Sequence, residues 1–353
     1  MTSTTHVINS ILIIGPSWVG DMVMAQVLFR LLKQQHPNVA IDVLAPAWSR
    51  PLLVRMPEVR RAIDLPFGHG AFSFWQRRAL GQTLRDAHYD QAIVLPNSWK
   101  SALVPFFADI PLRTGWRGEM RYGLLNDHRR LNKKNYPLMI ERFAALAFAA
   151  DVELPEHLPW PEFTVPPLQV EQALHELQLE KTTAPILALC PGAEFGPSKR
   201  WPDWHYADIA QHYLTRGWQV WIFGSANDAV VAENIRAQCA GLPHNLAGKT
   251  NLAQAIDLMS IATQVVSNDS GLMHIAAALQ RPLVVPYGSS SPEFTPPLSH
   301  QVRVLRTGIE CSPCFKRECP FGHQKCLREL MPSTVIAAID DLQRDVLSLV
   351  DLA

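Results

Sequence analysis

Ser267-Asn268-Asp269-Ser270-Gly271-Leu272-Met273-His274 is the stretch on which the fold turns. It follows Thr263-Gln264-Val265-Val266, which reads as a buried strand, and leads into Ile275-Ala276-Ala277-Ala278-Leu279, which reads as a helix. A carboxylate, a hydroxyl, a glycine and, one turn later, an imidazole therefore sit where a strand gives way to a helix. In an open α/β sheet ligands bind outside the carboxyl ends of the strands. A helix N-terminus there offers free N–H groups to an anion. The turn points to a phosphorylated small molecule.

The same alternation runs through the chain and predicts parallel α/β layers. Strands are expected at Ile11–Gly15, Ile41–Ala45, Ala62–Leu65 and Gln91–Leu95, then at Ile186–Cys190, Gln219–Phe223, Gln264–Ser267 and Leu283–Tyr287. From Asp21 to Gln35, Met24, Val27, Leu28, Leu31 and Leu32 mark one helical face. Later helices are expected to begin near Asp203, Asn227, Leu252 and Gly271, and Ser333–Leu352 reads as a closing amphipathic helix. Between the halves lies Leu158-Pro159-Trp160-Pro161-Glu162-Phe163-Thr164-Val165-Pro166-Pro167, where four prolines in ten residues make a stiff connector. Two α/β halves joined this way predict a cleft between domains, a common place for ligands.

At 353 residues the chain is too long for one ordinary core. With 48% apolar and 18% charged residues the composition is globular rather than disordered. A formal net charge of +0 argues against a polyelectrolyte partner such as nucleic acid. No apolar run approaches the roughly 20 residues of a membrane span, and the N-terminus lacks the basic and apolar regions of a signal peptide. The expected location is the cytoplasm.

Gly15-Pro16-Ser17-Trp18-Val19-Gly20-Asp21 opens the first helix. It is neither a dinucleotide fingerprint nor a phosphate-binding loop with its lysine. Asp21 reads as a helix-start carboxylate or as a general base facing the cleft, and the residues alone favour the first. Cys190-Pro191-Gly192-Ala193-Glu194-Phe195-Gly196-Pro197-Ser198-Lys199-Arg200 is a long glycine-bearing loop after a strand, and Lys199 suits a diphosphate. In Phe223-Gly224-Ser225-Ala226-Asn227-Asp228 the acidic group fits either a ribose contact or a helix cap. Residues 113–134 hold seven Lys/Arg against Glu119 and Asp127, a concentrated basic patch in a neutral protein. Arg113, Arg117 and Arg121 suit phosphates or carboxylates on a glycan, lipid or RNA, and the alternative is a solvated face.

Cys311-x2-Cys314-x4-Cys319-x6-Cys326 is a spacing that suits four thiolates around one metal or cluster, with His323 a possible substitute ligand. The alternative is four reduced thiols pinning a loop by packing. Cys190 and Cys239 stand in apolar or helical context and read as buried and inert.

Taken together, residues 15–21, Pro-Asn-Ser-Trp-Lys-Ser-Ala-Leu-Val-Pro-Phe at 96–106, residues 113–127, 191–202, 268–274 and Ser-Ser-Pro-Glu-Phe-Thr-Pro-Pro-Leu-Ser at 290–299 closely resemble the lipopolysaccharide heptosyltransferase II branch of glycosyltransferase family 9. The resemblance spans nearly the whole chain. It implies a GT-B fold, two Rossmann-like domains facing across a cleft. An acceptor domain would span 1–160 and an ADP-heptose domain 161–332, with the helix 333–353 packing back towards the first. The reaction implied is inverting transfer of L-glycero-D-manno-heptose from ADP-heptose to the first heptose of the Kdo2–lipid A core.

By the same resemblance Asp21 matches the catalytic base, which reverses the preference above. Lys199 matches the group that holds the diphosphate, Asp269 a donor-sugar contact, and Ser270, Gly271 and His274 the phosphate-side turn. Asp228 would contact the ribose, Thr250 the adenine edge, and Arg113, Arg117 and Arg121 the acceptor or the anionic inner leaflet. No catalytic metal is implied, and cysteine-bearing tails occur in some members only. Two other readings stay open: a different GT-B transferase or sugar-nucleotide epimerase, and a non-catalytic glycolipid-binding protein.

Overall fold

The computed structural model describes residues 8–68 and 70–350, the side chains of 346–350 excepted. The chain separates into two compact units, with the boundary after Pro161, inside the proline-rich connector.

The first unit runs β1 (Ser10–Ile14), α1 (Val19–Gln35), β2 (Ala40–Pro46), α2 (Arg50–Leu53), β3 (Val59–Leu65), α3 (Phe74–Thr83), β4 (Gln91–Val94), α4 (Leu103–Phe107), β5 (Leu112–Trp116), β6 (Asp127–Arg129) and α5 (Met139–Ala144). Its six strands are parallel in the order β3-β2-β1-β4-β5-β6, with Ile13 opposite Val43 on one side and Ile93 on the other. Ile11, Leu12 and Ile13 are fully buried because a parallel sheet is covered on both faces.

The second unit repeats the scheme with α6 (Pro167–Glu176), β7 (Ile186–Cys190), α7 (Asp203–Leu214), β8 (Gln219–Ile222), α8 (Ala229–Gln238), β9 (His244–Asn245), α9 (Leu252–Met259), β10 (Gln264–Ser267), α10 (Gly271–Ala278), β11 (Leu283–Pro286), β12 (Val302–Leu305), α11 (Lys325–Arg328) and α12 (Pro332–Val350). Its order, β12-β11-β10-β7-β8-β9, is the same winding as the first. Each sheet is doubly wound, so each has a point where strand order reverses and a crevice opens at the carboxyl ends. In the first unit that point lies between β1 and β4, and in the second between β7 and β10.

The eight expected strands and their helices are present. Residues 113–134, read as a basic patch, also contain β5 and β6, so part of that run is sheet rather than open surface. The helix expected over 333–353 to pack towards the first domain is α12. Val335, Ile339 and Leu342 on it join the second unit's core beside Tyr213 and Leu327, and 351–353 lie outside the described residues.

Candidate active site

At the switch point of the first sheet, β1 ends at Ile14 and the chain turns through Gly15 into α1. A Cβ on Gly15 would lie 2.7 Å from Met22 and 3.0 Å from Ala45, so only glycine lets the turn lie this close to the sheet. Asp21 falls in the first turn of α1, but the helix has Trp18 as its N-cap and no side-chain cap bond. Of the helix-start reading, the first-turn carboxylate is present and the N-cap is not. Burial pushes the Asp21 carboxyl up to about 6. It lines a cavity of about 520 Å³ with Ser17, Trp18, Asn97, Lys100 and Arg142. Asn97 and Lys100 come from the loop after β4, the strand beside β1. A carboxylate poised near neutrality in a concave site fits general-base work.

None of the three arginines expected to bind the acceptor lines this cavity. Arg121 is 1% exposed, its Nη1 donates to Pro96 O at 2.7 Å, and its Nη2 donates to Trp116 O. Burial lowers its guanidinium to about 10. Arg113 donates to Leu124 O at 2.6 Å and to Ile110 O, with Phe106 under its plane. Both hold backbone carbonyls that the loops around β5 would otherwise bury unpaired. Both guanidiniums are thus engaged by the protein's own backbone. Arg117 alone of the three is exposed, 5.3 Å from the Tyr122 ring. Arg121→Ala is therefore expected to lower the unfolding free energy by about 2–4 kcal/mol, and Arg117→Ala by less than about 0.5 kcal/mol. Urea midpoints of the two variants check this, and equal midpoints would remove the structural role of Arg121.

At the switch point of the second sheet two predicted residues from distant parts of the chain meet. Lys199 Nζ lies 2.6 Å from Asp269 Oδ2, joining the loop after β7 to the loop after β10. Asp269 is 6% exposed, and Ser290 also donates to its Oδ2. Asn268 ties the two loops from beneath: its Nδ2 donates to Pro191 O at 2.6 Å, and its Oδ1 accepts from Trp201 N and Tyr206 Oη at 3.0 Å each. Sequence reasoning assigned no role to Asn268 or Ser290. Both stand inside polar runs, Ser267–Ser270 and Ser289–Ser291, so nothing local singled them out.

Ser270 is the N-cap of α10 and Gly271 its first residue, so the helix start faces the crevice end of β10. His274 is 5% exposed in the first turn, and burial lowers its imidazole to about 4 despite Asp269 nearby. It is neutral at physiological pH, so it can offer a phosphate an N–H but not a charge.

Asp228 is 8% exposed and caps the turn before α8, accepting from Ser225 N at 2.9 Å and Ser225 Oγ at 2.8 Å. Its Oδ1 lies 3.7 Å from Arg200, and a Cβ on Gly192 would lie 2.5 Å from its carboxyl. The cap is thus realised, and the carboxyl also lies beside the loop after β7. Thr250 sends its hydroxyl to Leu246 O at 3.3 Å.

Cys311, Cys314, Cys319 and Cys326 are free thiols lining one cavity of about 10 Å³ with Ser198 and Ser289. Burial and the three neighbouring thiols push Cys326 up to about 11. Burial also works to raise Cys319, but N–H groups of residues 321–324 together hold it below the usual thiol value. Among the described residues no three His, Cys, Asp or Glu side chains are arranged to hold a metal ion. The four thiols line one loop's cavity, and the metal site that their spacing suggested gains no support from this placement.

Two doubly wound halves in one chain, the second with a lysine and a helix start without a side-chain cap at its switch point, have the architecture of a GT-B glycosyltransferase. The model of glycosyltransferase family 9 (heptosyltransferase) matches residues 77–325, and the chain belongs to this family. It is 50% identical to lipopolysaccharide heptosyltransferase 2 of Salmonella typhimurium over 341 residues, covering 94% of this chain and 98% of that protein. It is 50% identical to lipooligosaccharide heptosyltransferase 2 of Haemophilus influenzae over 351 residues, covering 94% and 99%. The solved structure of Escherichia coli ADP-heptose LPS heptosyltransferase II superposes with a TM-score of 0.85 at 49% identity, covering 94% of this chain and 98% of that one.

Proposed function

We propose that this enzyme transfers L-glycero-D-manno-heptose from ADP-heptose to the first heptose of a Kdo2–lipid A core, with inversion at the anomeric carbon. The observation that carries the reading is the Lys199–Asp269 pair, a cation beside a helix start at the second sheet's switch point. That is the chemistry a sugar nucleotide asks for. The relatives supply the identity of the sugar.

In this reading Asp21 takes the proton of the acceptor hydroxyl while its oxygen bonds to the anomeric carbon. The bond from that carbon to the β-phosphate oxygen breaks, and ADP leaves with the electron pair. Lys199 and the N–H groups at Ser270 and Gly271 offset the charge that grows on the diphosphate. His274 donates a neutral N–H to it. Asp269 receives a sugar hydroxyl, Asp228 the ribose, and Thr250 stands at the adenine edge. No step is routed through a metal.

On the acceptor side the reading uses Lys100 at the cavity and Arg117 on the surface. Contact with a bilayer on its cytoplasmic face belongs to the same reading. Its support is an aromatic edge formed by α3, the loop before it and α4, where Phe72, Trp75 and Phe106 are 54%, 71% and 38% exposed, with Arg78 over Trp75. Aromatic rings flanked by arginine suit a headgroup layer. Among the described residues no helix is long and apolar enough to cross a membrane.

The test is transfer from ADP-heptose to purified mono-heptosylated core acceptor, run beside UDP- and GDP-sugars and with the acceptor in anionic vesicles. One heptose added from the ADP donor alone is expected, and Trp75→Ala should weaken sedimentation with the vesicles. Transfer from another donor, or binding without transfer, would sink the reading.

A further inference from the structure

Ser290 lies in the turn after β11 and is 5% exposed. Its hydroxyl shares Asp269 Oδ2 with the Lys199 ammonium. The two donors arrive from separate loops, and both loops are fastened to one short segment, Ser312–Arg317. On the Ser290 side, Ser312 Oγ donates to Gly288 O at 2.6 Å and Phe315 N to Ser289 O at 2.7 Å. On the Lys199 side, Ser198 N donates to Arg317 O at 3.2 Å, and the Ser198 hydroxyl donates to Lys316 O. The hydroxyls of Ser198 and Ser289 meet at 3.0 Å between them. Cys311, Cys314 and Cys319 flank or lie within this segment, which gives the cysteine-rich stretch a place in the fold: it backs the loops that reach Asp269.

The two donors differ in what they can do next. Lys199 is a point charge on a flexible four-carbon stem and trades a carboxylate for a diphosphate without moving its backbone. Ser290 has one rotor on a braced loop and cannot follow. Once a diphosphate takes the lysine, Asp269 would be a buried carboxylate with nothing to fix its direction, unless Ser290 still holds Oδ2. Oδ1 accepts no hydrogen bond among the described residues and is the oxygen left for a ligand. We propose that Ser290 is a positioning residue for the donor sugar, holding Asp269 in place while Lys199 passes from that carboxylate to the diphosphate. The proposal rests on the donor reading above and extends it to a residue that acts through Asp269.

A role confined to the sugar predicts a split that a general loss of structure does not. Ser290→Ala should leave ADP affinity, measured by calorimetry, within about twofold, and should lower kcat/KM for ADP-heptose about tenfold, the worth of a hydrogen bond to a charged group. Ser290→Thr keeps the hydroxyl and should restore most of the loss. Ser290→Cys keeps the volume with a weak donor, should behave like Ser290→Ala, and stands in for it should the alanine variant not fold. Equal losses for ADP and ADP-heptose, or unchanged kcat/KM in the Ala and Cys variants, would overturn the proposal. Failure of the donor reading looks different: wild-type protein would not bind ADP, or Lys199→Ala would bind it as well as wild type.

Discussion

Asp21→Asn is expected to lower kcat by about 10²–10⁴-fold while ADP-heptose binding stays within about twofold. Asparagine keeps the shape of the side chain and cannot take a proton. The pH profile is the sharper measurement. Burial holds the carboxyl at about 6, and a base works ionised, so wild-type kcat/KM should rise through about pH 6 and then level. At pH 5 it should be about tenfold below the plateau, and the Asn variant should lose this limb. Stability moves the other way. The folded protein holds this proton up to about 6 and the unfolded chain only to 3.8, so the group's contribution falls as pH climbs between those values. Above pH 6 Asp21→Asn should therefore stabilise the fold, by on the order of 1–3 kcal/mol, and near pH 4 it should not. A variant that keeps its turnover, or one that melts alike at both pH values, would remove Asp21 from the base position.

Lys199→Ala should cost about 10²–10³-fold in kcat/KM and weaken ADP binding, because a donor aimed at the growing charge is lost. It should also destabilise the apo protein, since Asp269 is then a buried carboxylate left with Ser290 alone. The double variant Lys199→Ala/Asp269→Asn separates the two effects: stability should return and turnover should not. Lys199→Arg keeps the charge but exchanges a compact ammonium for a planar fork, and should fall between. If Lys199→Ala retained wild-type kcat/KM, leaving-group stabilisation would have to come from elsewhere.

The winding of both sheets was legible because their central strands are apolar on both faces. Ile11–Ile14 and Ile186–Cys190 have no other place to go than the middle of a covered sheet. β5 and β6 were not legible. Arg113, Arg117 and Arg129 give that run the look of a solvated face, and nothing local shows that Arg113 and Arg121 turn inward to backbone carbonyls. The partner of Arg121 at Pro96 is 25 residues away, beyond any periodic pattern. The site divides the same way. Asp21, Lys199 and Asp269 stand out as single residues at strand ends, whereas the bond between the last two spans 70 positions. Asp21 shows a further limit. Its position favours a helix-start carboxylate, and it is the family resemblance together with the burial around it that points to a base. The cysteines divide differently: their spacing brings four thiols around one small cavity, and their placement adds no support for a metal there.

The Lys199–Asp269 pair also bears on the end of the catalytic cycle. A lysine that waits beside its own counter-ion is a weaker trap for anions than a bare one. Stray orthophosphate must displace a carboxylate that never diffuses away, so it competes poorly with a ligand that brings a sugar and a nucleoside as well. In the proposed cycle the same carboxylate would become the rival of the product after transfer. As ADP loosens, Asp269 would reclaim the ammonium that it holds at 2.6 Å in this structure and shorten the time the spent nucleotide stays. In enzymes where departure of product limits the rate, such an internal competitor sets the pace of turnover.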